Sequence, residues 1–261
     1  MSKLLLQKDG PIGWIVFNQP EKRNAVSQEM WQQMPEHVRD LASDDTIRVV
    51  VLRGAGDQAF VAGADISQFK DRRRNMADEE EYRRISGRGQ DALATLAKPL
   101  LAMIHGYCVG GGVSIAIACD LRIAADDASF GIPAARLGLG YHYHGMEKLM
   151  KLIGPAYTKE IFFTARTDFT AADALRMGLV NQVVPKAELE AFTRDYAERM
   201  ARNAPLTLRS AKATVEQLLR PAAERDLALL DKLMADCFNS QDYQEGVKAF
   251  SEKRRPQFQG R

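Results

Sequence analysis

The sequence predicts an α/β fold, and three observations carry that reading. Short apolar runs typical of buried strands, Ile12 to Phe17, Arg48 to Leu52, Leu100 to Ile104, Leu121 to Ala124 and Leu179 to Val184, recur along the first two thirds of the chain. Between two of them a glycine triplet, Gly110, Gly111 and Gly112, feeds a small apolar run from Val113 to Cys119 that reads as a buried helix. After Pro185 no strand pattern recurs, and apolar residues repeat only at helical spacing.

Taken in order, Ile12 to Phe17 is rich in β-branched and aromatic residues, and Asn18-Gln19-Pro20-Glu21 is the loop that ends it. Ser27 can cap a helix carrying Trp31, Met34, Val38 and Leu41 on one face, although Pro35 should kink that helix or delay its start. The polar run from Ile66 through Arg84 is expected to be an exposed helix or a mobile loop. Strands at Leu100 to Ile104 and Leu121 to Ala124 bracket the glycine turn and its helix. Thr170 with Asp173 is a capping signal, Gly178 a helix stop, and Pro185 the end of the last strand. Leu208, Ala211, Val215 and Leu218, then Leu227, Leu230 and Met234, give the helical last third, punctuated by Pro205 and Pro221.

Composition bounds the function. The chain has 261 residues and a formal net charge of +2, which argues against a broad nucleic-acid face and gives no electrostatic reason for an anionic membrane partner. No segment approaches the ~20 apolar residues of a membrane span, and Met1 to Gln7 is too short in apolar length for a secretion signal. Cys108, Cys119 and Cys237 are odd in number and lack a metal-binding spacing, so a reducing, cytoplasmic setting and no metal are expected.

A glycine turn at a helix start leaves bare N–H groups suited to an oxygen that carries or acquires negative charge. A second small-residue turn, Ala62-Gly63-Ala64-Asp65-Ile66, follows a strand upstream. With Gly106-Tyr107, Gly110-Gly111-Gly112, Phe130-Gly131-Ile132-Pro133, Thr170 to Val180, and the tail Asp242 to Gly246 with Phe250 and Lys253, this ordered set resembles the crotonase (enoyl-CoA hydratase/isomerase) superfamily over essentially the whole chain. The resemblance implies a spiral of repeated ββα units over residues 1–196 and a helical C-terminal region over 197–261 that trimerises, as a homotrimer or a dimer of trimers. It implies an acyl-CoA thioester as substrate and no cofactor beyond its CoA moiety. By motif position, Ala64 and Gly111 are the backbone donors to the thioester oxygen and stabilise its enolate. Lys22, Arg23, Ala62, Ala64, Asp65, Ile66, Gly111, Phe250 and Lys253 stand where the family meets substrate or CoA.

The chain departs from that pattern where the chemistry is decided. The two glutamates with which the family's hydratases activate water and deliver a proton are replaced here by Ser114 and Ala134. Serine does not ionise near neutrality and alanine has no titratable group, so ordinary hydration should be weak. Decarboxylation, isomerisation or C–C cleavage of an acyl-CoA gains weight. A catalytically silent acyl-CoA-binding or assembly protein is the competing reading. The compensating groups are sought in Leu139-Gly140-Tyr141-His142-Tyr143-His144-Gly145, where the family varies its catalytic residues. Tyr141 and His142 are the candidates; His144 is a weaker one, and His105 and His37 are expected to be structural.

Overall fold

The computed structural model describes residues 2–65 and 76–261. A hairpin of β1 (Leu4–Asp9) and β2 (Ile12–Phe17) opens the chain. The remaining strands are β3 (Val49–Gly54), β4 (Ala59–Val61), β5 (Leu100–Ile104), β6 (Tyr107–Val109), β7 (Leu121–Ala125), β8 (Ser129–Gly131), β9 (Phe169–Thr170) and β10 (Gln182–Val184). They form a six-stranded sheet in the order β1-β2-β3-β5-β7-β10 and a four-stranded sheet in the order β4-β6-β8-β9. Each of β3, β5 and β7 is followed by a short strand in the second sheet and then by a helix, and successive units pair in parallel in both sheets. This is the spiral of ββα units that the family resemblance implies.

Alternation explains why the central strands read as unbroken apolar runs. Ile15, Val50, Leu52, Ala102 and Ile104 face one core, while Trp14, Val49, Val51, Leu101 and Met103 face a second. Both faces of the sheet are covered, so both sets of side chains must be apolar. The first core is closed by α1 (Gln28–Ser43), which buries Met30, Trp31, Met34, Val38 and Leu41. Ser27 caps α1 by accepting the Met30 N–H at 3.3 Å, and the helix runs from Gln28 through Pro35, so its start is not delayed. Against α1 lies α2 (Met76–Ala94). His37 approaches the Leu4 carbonyl through Nε2 at 3.3 Å and ties α1 to the hairpin.

The glycine turn leads into α3 (Gly111–Ala116), shorter than the Val113 to Cys119 helix expected from periodicity. Arg122, only 4% exposed, donates to the Cys119 and Leu179 carbonyls at 2.7 Å each, which ends that helix and anchors it to the chain before β10. Next comes α4 (Tyr143–Thr164), broken at Gly154 (φ 76°) ahead of Pro155. Then α5 (Ala171–Met177) has the predicted capping box at Thr170 and Asp173 and the predicted stop at Gly178 (φ 78°).

The second core is covered by α6 (Leu189–Ala201), which buries Leu189 and Ala197 against the sheet. The expected boundary at 196/197 falls inside this helix. The helices α7 (Pro205–Leu218), α8 (Leu227–Phe238) and α9 (Gln241–Ser251) complete the chain. The tail folds back on α9, where buried Asp242 accepts the Gln259 and Gly260 N–H groups at 2.6 and 2.7 Å. Among the described residues no helix is long and apolar enough to cross a membrane.

Candidate active site

Two small-residue turns meet at the ends of β4 and β6. After β4, the Ala62 N–H donates to the Arg23 carbonyl at 3.0 Å, Val26 N–H to Gly63 at 2.8 Å, and Asp65 N–H to Val26 at 3.0 Å. This is a parallel bridge between Val26 and Ala64, in which the neighbours of Ala64 make the bonds and its own N–H points the other way. After β6, Gly110 adopts a backbone (φ 54°, ψ −109°) open to glycine and donates to the Gly131 carbonyl at 2.8 Å. At Gly112 a Cβ would stand 2.1 Å from the Val61 carbonyl oxygen, so the first turn of α3 lies directly on the end of β4. At Gly111 a Cβ would lie 3.4 Å from the Ala64 nitrogen, which makes the two expected donors neighbours. Among the described residues neither the Ala64 nor the Gly111 N–H donates to a protein acceptor.

Both turns line a single cleft of about 1990 Å³. Lys22, Arg23, Ala62 and Asp65 line it as well, so most of the residues expected to meet substrate are brought together. Lys22 pairs with buried Asp65 at 2.9 Å, and the Arg23 guanidinium lies 4.7 Å above the Tyr107 ring. Asp65 therefore serves to hold a lysine at the rim. Ile66 lies outside the described residues. Phe250 and Lys253 are not in this cleft: Phe250 is 88% exposed on α9 and Lys253 follows that helix in a left-handed turn (φ 54°).

Ser114 and Ala134 both face the cleft. Ser114 is half-buried with its hydroxyl 3.5 Å from the Gly110 carbonyl, and Ala134 is buried in a 3-10 turn, Pro133–Leu137. Glu147 also lines the cleft, but Lys151 at 2.8 Å holds its carboxyl below the usual range, which makes it a poor proton acceptor.

The histidine segment is the start of a helix rather than a free loop or a strand. His142 is the N-cap residue of α4 and its side chain makes no capping bond. Its ring lies 4.4 Å from that of Tyr143 and 5.0 Å from that of His144, and both histidines line the cleft while Tyr143 is 65% exposed. Tyr141 is half-buried, packed edge-on against Phe162 at 5.0 Å, and also lines the cleft. His105 lies elsewhere, and burial pushes its pKa down. Burial raises the thiol pKa of Cys108 and Cys119, so neither serves as a nucleophile.

One wall of the cleft escaped sequence reasoning. Tyr82, Arg83, Ser86 and Gln90 of α2 line it together with Trp31 of α1. Their i, i+3, i+4 spacing was a readable signal inside a stretch that looks like a solvated charged face. Chemically, two neighbouring bare N–H donors suit a developing oxyanion, each such donor contributing about 3–4 kcal/mol to a transition state where water is excluded.

The sequence profile described as Enoyl-CoA hydratase/isomerase matches residues 7–261. A short-chain-enoyl-CoA hydratase of Clostridium acetobutylicum is 32% identical over 98% of this chain and 97% of its own length. A carnitinyl-CoA dehydratase of Proteus mirabilis is 34% identical, over 99% and 98%. Among solved structures, an enoyl-CoA hydratase/carnithine racemase from Magnetospirillum magneticum superposes with a TM-score of 0.95 at 33% identity, covering 100% of this chain and 97% of that one.

Proposed function

The chain belongs to the enoyl-CoA hydratase/isomerase family of enzymes, which act on acyl-CoA, and on that premise we propose that it stabilises a thioester enolate through the Ala64 and Gly111 N–H groups in a reaction other than ordinary hydration. The reading is supported by a pair of bare turns pressed together in a cleft that Ser114 and Ala134 also line, the two residues that by motif position stand for the hydratase carboxylates. On this reading the two N–H groups supply electrostatic stabilisation, and the paired carboxylate acid/base work of a hydratase is missing. Decarboxylation gives the enolate as carbon dioxide leaves and then needs only proton donation to its α-carbon, whereas isomerisation needs a group that first takes a proton from the substrate before donating it back, and hydrolytic C–C cleavage needs in addition a base that activates water. Tyr141 and His142, at the mouth of α4, are the groups we assign to that donation. Lys22 and Arg23, together with the backbone at Ala62, are assigned to the CoA moiety.

Self-association is part of the proposal. The C-terminal helices expose Val215, Leu218, Leu227, Phe238, Val247 and Phe250, an apolar display that favours burial against further copies of the chain, as a trimer or a dimer of trimers. Phe250 and Lys253 would then meet CoA only across such an interface. The silent binding or assembly reading is favoured by one observation, that Glu147 is tied to Lys151.

The test is a mass-spectrometric screen of the protein against a panel of acyl-CoA thioesters, beside a crotonyl-CoA hydration assay. Conversion of at least one thioester with feeble hydration of crotonyl-CoA is expected. Robust hydration at ordinary enzyme rates would overturn the assigned loss of water chemistry, and no conversion of any thioester that binds would favour the silent reading.

A further inference from the structure

We propose that the α1/α2 wall of the cleft is a carboxylate site in which Arg83 grips the far end of the acyl chain, so that the substrate is an acyl-CoA terminating in a carboxylate. The inference rests on the acyl-CoA reading above and narrows its substrate class.

The wall carries hydrogen-bond donors without acceptors. Arg83 lines the cleft half-buried, and its Nε is shut away from solvent with no hydrogen-bond partner among the described residues. Its neighbour Arg84 is clamped by Glu81 at 2.8 and 2.7 Å, yet among the described residues Arg83 has no ion pair, although Glu79 and Glu80 stand on the same helix. Trp31 is 2% exposed and lines the same cleft, and its Nε1 N–H also has no partner among the described residues. Ser86 adds a hydroxyl whose contact with the Arg83 carbonyl is 3.4 Å long. Gln33 Oε1, an unpaired acceptor on α1, is outside the cleft lining.

Arg83 Nε and Trp31 Nε1 are sealed from solvent, so what a ligand in the cleft can meet is the rest of the half-buried Arg83 side chain, a cation with no ion pair among the described residues. Guanidinium and indole N–H groups offer only donors, and a half-buried guanidinium calls for an anion with in-plane oxygens. That anion is retained through the reaction: binding to a cation stabilises a carboxylate and opposes its loss as carbon dioxide. Two anions of an acyl-CoA compete for the assignment, a CoA phosphate and an acyl carboxylate. Lys22 and Arg23 flank the Ala62 to Asp65 turn and supply cations there, whereas Arg83 belongs to a different wall, shared with the apolar Trp31 and Tyr82 rings.

Isothermal titration of the full-length protein with CoA, butyryl-CoA, succinyl-CoA and glutaryl-CoA tests this. At least one of the two carboxylate-terminated thioesters should bind more tightly than butyryl-CoA by about tenfold or more. Arg83→Met should erase that difference and leave CoA and butyryl-CoA binding unchanged, while Arg83→Lys, which keeps the charge, should retain part of it. Equal binding of butyryl-CoA and both carboxylate thioesters by the parent would overturn the carboxylate site while sparing the acyl-CoA reading. A uniform weakening of all four ligands in Arg83→Met, CoA included, would reassign Arg83 to a phosphate and overturn the inference. Failure of all four to bind the parent would overturn the acyl-CoA reading and this inference with it.

Discussion

Gly112→Ala isolates the contact that holds the two donor turns together. The added Cβ would stand 2.1 Å from the Val61 carbonyl oxygen and 3.0 Å from its carbon. The shortest ordinary C···O contacts are about 3.3 Å, so the glycine turn must retreat by about 1 Å. A backbone carbonyl cannot rotate aside as a side chain does, which places the cost near the upper end of the overpacking range, about 3 kcal/mol. At ~2–4 °C per kcal/mol for a chain of this size, the melting temperature should fall by ~6–12 °C. The same displacement moves Gly111 relative to Ala64, and a misplacement of about 1 Å costs ~10²-fold in rate. The control is Gly111→Ala, whose Cβ would meet the Ala64 nitrogen at an ordinary 3.4 Å. That variant should melt within ~2 °C of the parent, since the new contact needs no backbone shift. It should nevertheless lose turnover, because its methyl crowds the Ala64 N–H. Thermal unfolding by circular dichroism and turnover of an active thioester, measured on both variants, read the two effects separately. Parent-like melting and turnover in Gly112→Ala would refute the reasoning, since the turn would then not rest on Val61.

Two further outcomes follow from other parts of the molecule. His142→Ala and Tyr141→Phe should each fold and bind acyl-CoA like the parent, and at least one should lose ~10²–10⁴ in turnover; parent-like kinetics in both would return this helix start to a structural role. At the other end of the chain, Arg254 at 2.6 and 2.8 Å holds the Glu245 carboxyl at about 2 against an ordinary 4.5. A depressed carboxyl stabilises the fold above the ordinary value and loses that contribution as pH falls toward the depressed one. Melting temperatures of the parent and Glu245→Gln should therefore differ most at about pH 6, approach each other as pH falls from about 4.5, and converge only below about pH 2. A gap that is constant across that window would show that the pair contributes nothing through titration.

Long strands with a strong apolar run were legible, short ones were not. The fit at β5 is residue for residue, and at β7 it misses only Ala125, because these strands are buried on both faces and every position but Arg122 of β7 is apolar. The second sheet was invisible: β4, β6 and β8 have three residues each, too few for any period, and are held by pairing rather than composition. Unexpected too was β1, whose later half is solvated and offers Gln7, Lys8 and Asp9 in place of a pattern. Ala64 and Gly111 were named by motif position in the family resemblance; what the residues themselves made legible was the pair of small-residue turns that carry them. Arg83 was passed over because a charged residue among charged neighbours looks solvated, although its spacing with Ser86 and Gln90 on one helix face was there to be read.

The turn bearing Ala64 is roped to the segment bearing Lys22 and Arg23. Ala62 hangs from the Arg23 carbonyl, Gly63 and Asp65 straddle Val26, and Lys22 reaches across to Asp65. A pull on either basic residue is therefore felt at the Ala64 nitrogen through three short backbone bonds. If Lys22 and Arg23 hold the nucleotide and Ala64 donates to the reacting oxygen, as proposed, grip on the one would set the aim of the other, and a thioester stripped of its nucleotide would lose speed as well as hold.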